Sequence, residues 1–309
     1  MGGVIFRLLK QVLVGLTTLW VVVSLTFLLL RVLPGGPFDS DRKLPPEIQA
    51  NLEEQYHLKD PLWQQYANYM GNLLRGDLGP SYKYRSRRVN DIVGEAFTIS
   101  LQLGILALLV GVGFGVLLGT IAGNTSRNSL DVLLSLFGIT ALSTPAFIFG
   151  GLLVLLFSLN LHWLPSATLS TPSHWILPVA TLSLAPFAWT FLLIRSSVQE
   201  VKTLSFVHIK ACFGLSQKAI QWRHILRNAL LPLVAIAGPL FAGIITGSFA
   251  VEYLFAIPGV GKHFVTAVTN RDYTLVMGVT ILYGAILIVF NTLSDMVSTL
   301  LDPRLREEA

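Results

Sequence analysis

Long apolar runs separated by short polar turns dominate this chain. Roughly 20 apolar residues in helical conformation cross the hydrocarbon core of a bilayer. Six stretches reach that length: 11–30, 97–122, 132–161, 176–194, 230–251 and 275–297. The third is long enough to cross at a tilt. The pattern predicts an all-α polytopic membrane protein with six transmembrane helices. The first run is expected to be retained rather than cleaved. It is longer than the roughly 7–15-residue apolar core of a signal peptide, and it leads into Arg31-Val32-Leu33-Pro34 without a small-x-small site.

Two polar segments carry a pattern of their own. In 34–95, Pro45-Pro46-Glu47 has the proline and carboxylate of a helix start. Ile48, Leu52 and Tyr56, then Leu62, Tyr66, Tyr69 and Leu73, recur at helical spacing, which predicts two short amphipathic helices broken at 59–61. The second segment is 213-FGLSQKAIQWRHILRNALLP-232. Leu215, Ala219, Trp222, Leu226 and Leu230 form one stripe there, Lys218, Arg223 and Arg227 supply charge, and Ser216 is positioned to cap a helix. Such a helix lies on anionic lipid or docks into a groove of a cytoplasmic protein, and its residues alone do not choose between the two.

Composition supports the membrane reading. Of the 309 residues 53% are hydrophobic and only 13% charged, where soluble domains carry about a quarter. The net charge of +5 is accounted for by cytoplasmic loops rich in Lys and Arg, so nucleic acid is not an expected partner, whereas membrane lipid is. The single cysteine, Cys212, excludes an internal disulfide and a cysteine metal site. The histidines show no i,i+4 pair flanking a carboxylate, so no zinc-hydrolase motif is present.

Cations set the orientation. Arg7 and Lys10 precede the first span, Arg127 lies in 124–131, Arg195, Lys202, Lys210, Lys218, Arg223 and Arg227 lie before the fifth, and Arg304 and Arg306 follow the last. Both termini are therefore expected in the cytoplasm. The segment 34–95 is long enough to translocate regardless of its charge and is placed outside. The chain then divides into a leader with the first helix (1–33), an external helical segment (34–95), a core of five spans (96–301) containing a cytoplasmic loop (196–229), and a tail (302–309).

Within the spans, Gly111, Gly115, Gly119 and Gly123 repeat every four residues, and Gly243 and Gly247 are expected to repeat the device. Such stripes let helices approach closely, within the chain or against a partner. Pro145, Pro178, Pro186, Pro232 and Pro239 each remove a backbone donor inside or at the edge of a span. Glu252 and Asp295 are expected at or near span ends. With so few ionisable groups in the spans, an ion-coupled carrier is disfavoured, and the energy source is expected to lie in another polypeptide.

Ala211-Cys212-Phe213-Gly214-Leu215-Ser216 followed by Arg223-His224-Ile225-Leu226-Arg227-Asn228-Ala229-Leu230-Leu231-Pro232 resembles the cytoplasmic loop of ABC importer permeases. The resemblance extends through 31-RVLPGGPF-38, 56-YHLKDPLWQQY-66, 76-GDLGPSYKY-84, 243-GIITGSFAVEYLFAIPGVGKHF-264, 270-NRDYTLV-276 and 302-DPR-304, and is nearest to the B-type permease of oligopeptide and dipeptide importers. It implies the type I ABC importer permease fold. It also implies a coupling loop comprising Ala211, Gly214, Leu215, Ser216, Trp222, Arg223, Arg227 and Pro232, seated against an ATPase. The implied partners are a second permease subunit, two cytoplasmic ATPase subunits that bind the ATP and Mg, an external peptide-binding protein and the peptide itself. No cofactor is expected in this chain, which has no Gly-x-x-x-x-Gly-Lys-Ser/Thr phosphate loop and is a transport subunit rather than an enzyme. Where the family commonly has Arg-Thr-Ala-Arg-Ala-Lys before the loop glycine, this chain has His208-Ile209-Lys210-Ala211-Cys212-Phe213.

Candidate pathway residues are Ser143, Pro145 and Phe147 in the third span and Thr246 and Ser248 in the fifth; each is alternatively a packing residue. Related permeases carry nickel complexes, glutathione or haem, so another solute is the alternative to peptide. The rivals of other classes are an ion-coupled secondary transporter and an intramembrane hydrolase. The hydrolase would need a serine and histidine together at membrane depth, and His162 and His174 fall at a span edge.

Overall fold

The structure is a computed structural model. It describes residues 2–38, 45–84, 86–125 and 129–301, and leaves the side chains of 2–8, 46, 49, 52, 208, 211 and 298–301 undescribed. Arg127, Arg304, Arg306, the tail 302–309 and the match at 302–304 therefore lie outside the described residues, as do the side chains of Arg7, His208 and Ala211.

Among the described residues the chain is helical apart from one backbone bridge between Pro80 and Arg88. Helix α1 (Gly2–Val32) is followed by α2 (Pro46–Gln55) and α3 (Leu62–Leu74), with the break where Lys59-Asp60-Pro61 predicts it. Next come α4 (Val89–Asn124), α5 (Ser129–Ser143), α6 (Ala146–Leu153, prolonged by a π-helical stretch Val154–Asn160) and α7 (Ile176–Lys202). The loop between α7 and the fifth span contains α8 (Ser205–Cys212), α9 (Gln217–Ala219), a π-helical stretch (Ile220–Ile225) and α10 (Leu226–Ala229). Helices α11 (Leu231–Ile245), α12 (Phe249–Leu254), α13 (Val260–Thr269) and α14 (Tyr273–Leu301) complete the chain.

Four spans run as unbroken apolar helix; the third does not. Helices α5 and α6 meet at 108° across Thr144-Pro145, so the expected tilted span over 132–161 is a bent pair. Pro145 supplies the physical reason. It has no N–H to continue the ladder of α5, and its ψ of 131° turns the chain before α6 begins. The fifth span is broken as well: α11 stops at Ile245, and Gly247 (φ +87°) re-aims the chain into α12 through a conformation that a β-carbon would strain.

Glycines set the tightest contact in the bundle. Gly111, Gly115, Gly119 and Gly123 press α4 onto α7, and a β-carbon at Gly115 would lie 2.7 Å from Cβ of Thr190. The stripe thus packs within the chain. Gly243 does not extend the device, since open space lies over it. The corresponding role in α11 falls to Gly238, against Phe290 and Ser294 of α14. Pro239 frees the carbonyl of Ala235, and Ser294 Oγ answers it, donating at 2.7 Å to Val234 O and 3.3 Å to Ala235 O.

Helix α1 lies along α14, with Gly15 under Ile288 and Gly284 under Leu19, and Gln11 Nε2 donates to Asp295 at 2.8 Å. Val23, Phe27 and Met277 form a buried cluster on which Tyr66, Tyr69 and Leu73 of α3 pack, so the predicted apolar face of that helix is seated on the spans.

Candidate functional site

The loop between α7 and α11, expected on the cytoplasmic side, is built on the ends of α4 and α7. Lys202 Nζ reaches the carbonyl of Asn124 at 2.9 Å, putting a cation where the last carbonyls of α4 have no helical partner. Beyond a short turn, α8 ends at Cys212, and Gly214 adopts φ +76°, the left-handed conformation that commonly terminates a helix. Ser216 Oγ then accepts from Ala219 N at 3.3 Å, capping the next helical stretch as its position in the sequence predicts.

This helix packs one face on its own chain, beside the stripe read from the sequence. Ile220, Gln221, Ile225 and Ala229 are buried, and Ile220, Ile225 and Ala229 pack on Ile194, Val198, Val201 and Val207. Leu215 and Trp222 of the predicted stripe are instead exposed, Trp222 at 52%, while Ala219, Leu226 and Leu230 lie between the two faces. Within the π-helical stretch, i→i+5 bonding puts Ile220 and Ile225 on one face, and the predicted stripe flanks that face.

The outward surface therefore combines Phe213, Leu215 and Trp222 with Lys210, Lys218, Arg223 and Arg227. Partial desolvation, helped by Lys210 and Arg223, holds His224 below the usual imidazole range, which marks the electropositive character of this surface. Pro232 stands in the first turn of α11, where a missing N–H breaks no helical bond.

The other candidate residues border the two broken spans. Ser143 ends α5, Pro145 precedes α6 and Phe147 is exposed in its first turn. Thr246 closes α11, with its hydroxyl on Ala242 O at 2.9 Å, and Ser248 is the N-cap position of α12. The halves beyond the breaks touch, with Gly150 of α6 against Leu254 of α12.

Glu252, expected near a span end, is fully buried. It accepts from Ser100 Oγ at 2.9 Å and from Lys262 N at 2.8 Å, while Ser100 Oγ accepts from Val260 N at 2.9 Å. Together these two side chains take up orphan N–H groups in the first turn of α13 and tie it to α4. A second link escapes any reading of local pattern. Asp131 of α5 and Arg195 of α7 form a bidentate ion pair at 2.6 and 2.9 Å.

At the opposite end of the bundle, four of the quoted sequence motifs converge. Asp272, fully buried, accepts from Ser81 Oγ, from Tyr82 N at 3.1 Å and from Leu275 N at 3.3 Å. Thr274 Oγ1 donates to Pro80 O at 2.7 Å, and Tyr273 OH to Gly35 O at 3.0 Å. The rings of Phe38, Tyr56, Tyr82 and Tyr273 form a continuous cluster. Burial raises the hydroxyls of Tyr69 and Tyr82 above the usual phenol range, so both remain protonated. Among the described residues no group of His, Cys, Asp and Glu is arranged to hold a metal ion.

Residues 115–307 match the family model described as the binding-protein-dependent transport system inner membrane component. The oligopeptide transport system permease protein OppB of Haemophilus influenzae is 42% identical over 96% of this chain and 98% of its own length. The dipeptide transport system permease protein DppB of Bacillus subtilis is 42% identical over 94% of both chains. Among solved structures, an amino acid ABC transporter superposes with a TM-score of 0.53 at 16% identity, over 68% of this chain and 94% of its own. The MetNI methionine ABC transporter in an inward-facing conformation superposes at 0.56 and 14% identity, over 68% of this chain and 96% of its own. At such identities the superpositions show a shared fold.

Proposed function

Because the chain belongs to the family of binding-protein-dependent transport system inner membrane components, a multi-pass permease of the inner membrane, we propose that it forms one half of a peptide import pathway driven by a cytoplasmic ATPase through the loop at Gly214. The relatives named above carry peptide-transport names, which supports peptide as the solute. They are permease proteins rather than ATPases, in keeping with a transport subunit that leaves hydrolysis to a partner.

The observation that carries the reading is the division of labour in the loop. Ile220, Ile225 and Ala229 fasten it to the cytoplasmic end of α7, while Phe213, Leu215 and Trp222 face away from the chain around a left-handed glycine. A push on the outward surface would thus be delivered to α7, and through its glycine-mediated contact to α4. ATP shifts such an equilibrium only as far as it favours one arrangement of the assembly over the other. A second permease subunit would complete the pathway along the broken spans, where Ser143, Pro145, Phe147, Thr246 and Ser248 line the two bends, and an external binding protein would supply the peptide.

The test is ATP-dependent uptake of labelled peptides by the complex reconstituted in liposomes, with Gly214→Pro as the variant. The proposal requires uptake to fall to background in the variant while the membrane subunits stay assembled. Ion-driven uptake by this chain alone would overturn it.

A further inference from the structure

At the end of the bundle expected to face outward, the last turn of α1, helices α2 and α3, the 76–84 turn and the start of α14 enclose a cavity of about 210 Å³. This lies below the ~300 Å³ at which pockets for drug-sized ligands begin, so it fits a small molecule or one end of a larger one. It is separate from the broken spans and from the cytoplasmic loop.

The chemistry of its wall is one-sided. Arg31 lines it, and among the described lining residues none is acidic. The guanidinium carbon lies 4.9 Å from the ring centroid of Phe27 and 5.3 Å from that of Tyr273, so the cation is held between two aromatic faces. Its Nε donates at 2.9 Å to Oε1 of Gln65. That amide is itself fixed, because Gln65 Nε2 donates to Leu58 O at 2.9 Å and Asp60 O at 2.8 Å. Among the described residues no carboxylate lies within ion-pair distance of Arg31. The nearby Asp272 is occupied by Ser81, Tyr82, Thr274 and Leu275. A guanidinium has five N–H donors, and its planar fork matches a carboxylate.

A purely structural arginine, satisfied by its rings, the Gln65 amide and the Tyr82 hydroxyl, needs no cavity beside it. Here the same cavity also holds Tyr69, whose buried hydroxyl has no partner among the described residues, and the amides of Gln55, Asn68 and Asn72. The one guanidinium among the described lining residues balances a single negative charge, which favours a carboxylate over a dianionic phosphate. The surrounding rings and amides suit a flat or amide-bearing body.

We propose that this cavity is a binding site for a small monocarboxylate, held by its carboxylate on Arg31 with its body against the tyrosine cluster. The site stands on its own geometry and does not depend on what the spans transport.

The test uses the full-length chain, with any subunits that purify with it, in phosphatidylcholine nanodiscs. Binding of 4-fluorobenzoate and its neutral isostere 4-fluorobenzamide is followed by ¹⁹F line broadening. The acid should bind saturably and the amide about tenfold more weakly, the expected scale for losing one charge-assisted pair. Arg31→Gln should lower affinity for the acid by a similar factor. Asn68→Asp, at an exposed position of α3, adds a competing carboxylate without touching the core, and should weaken the acid several-fold more than the amide. Equal binding of acid and amide, or an acid affinity indifferent to Asn68→Asp, would overturn the assignment. So would loss of acid binding when a minor fraction of phosphatidylglycerol is added, because a lipid phosphate would then be the occupant.

Discussion

Asp131 and Arg195 stand 64 positions apart in the chain, yet Arg195 Nε lies 2.6 Å from Oδ1 and Nη2 2.9 Å from Oδ2 of one carboxylate. The pair locks α5, the first half of the bent span, to α7. Asp131 is only 4% exposed and also accepts from Ser135 Oγ at 3.3 Å, so removing Arg195 takes away a major compensation for a buried charge rather than returning that charge to water. Arg195→Ala is expected to cost on the order of 3 kcal/mol. The exchange Asp131→Arg with Arg195→Asp should recover part of that loss. Thermal unfolding of the detergent-solubilised protein measures both, and an Arg195→Ala variant as stable as the parent would show that the pair holds nothing.

The contact between α4 and α7 makes a prediction with its own control. A side chain at Gly115 or Gly119 meets the backbone and β-carbons of α7 below 3 Å, whereas Gly113, on the same helix, has open space above it. Gly115→Leu and Gly119→Leu should destabilise by at least the ~1–3 kcal/mol typical of overpacking, since a backbone cannot swing aside. Gly113→Ala should be neutral or slightly stabilising through helix propensity. Equal unfolding temperatures for Gly113→Ala and Gly115→Leu would contradict the packing described.

Much of this architecture was legible in the sequence because it follows from local rules. Apolar length marks the spans, Lys59-Asp60-Pro61 the break between α2 and α3, and Ser216 the cap in the loop. What was not legible depends on geometry that crosses the chain or alters its period. The 108° bend at Pro145 is hidden because hydrophobicity runs straight through it. The face that the loop helix packs on α7, with Ile220, Ile225 and Ala229, is not marked by the stripe that dominates its sequence. Arg195 reads as one more loop cation until α5 is folded back onto α7, and Glu252 as a span-end carboxylate until α13 is placed above Ser100.

The Glu252 arrangement is testable through its two roles. Its oxygens accept from Ser100 Oγ and Lys262 N, and its carboxylate fills the space beside Gly247, Gly259 and Gly261. Glu252→Ala leaves buried donors unanswered and opens a void, for an expected loss of about 2–4 kcal/mol. Glu252→Gln keeps the shape and one acceptor and should lose less. Hydrogen exchange at the Lys262 amide provides the local readout: protection should fall sharply in the alanine variant and only partly in the glutamine one. Unchanged protection in both would mean that α13 is anchored by something else.

The loop that the function rests on offers the sharpest contrast, because its two faces should fail in different ways. Ile225, 4% exposed, belongs to the face packed on α7, and Ile225→Ala should cost about 2–4 kcal/mol as a large-to-small change in a core. Trp222, three residues earlier and 52% exposed, contacts little of this chain. Trp222→Ala should therefore leave the unfolding temperature within a degree or two of the parent, yet release the ATPase subunits from the purified complex, as expected of an aromatic anchor at an interface. The two measurements are made on the same preparations, thermal unfolding for the chain and retention of ATPase for the assembly. If Trp222→Ala destabilises the chain as much as Ile225→Ala and retains the ATPase, the outward face of this helix is not a docking surface and the proposed coupling route fails with it.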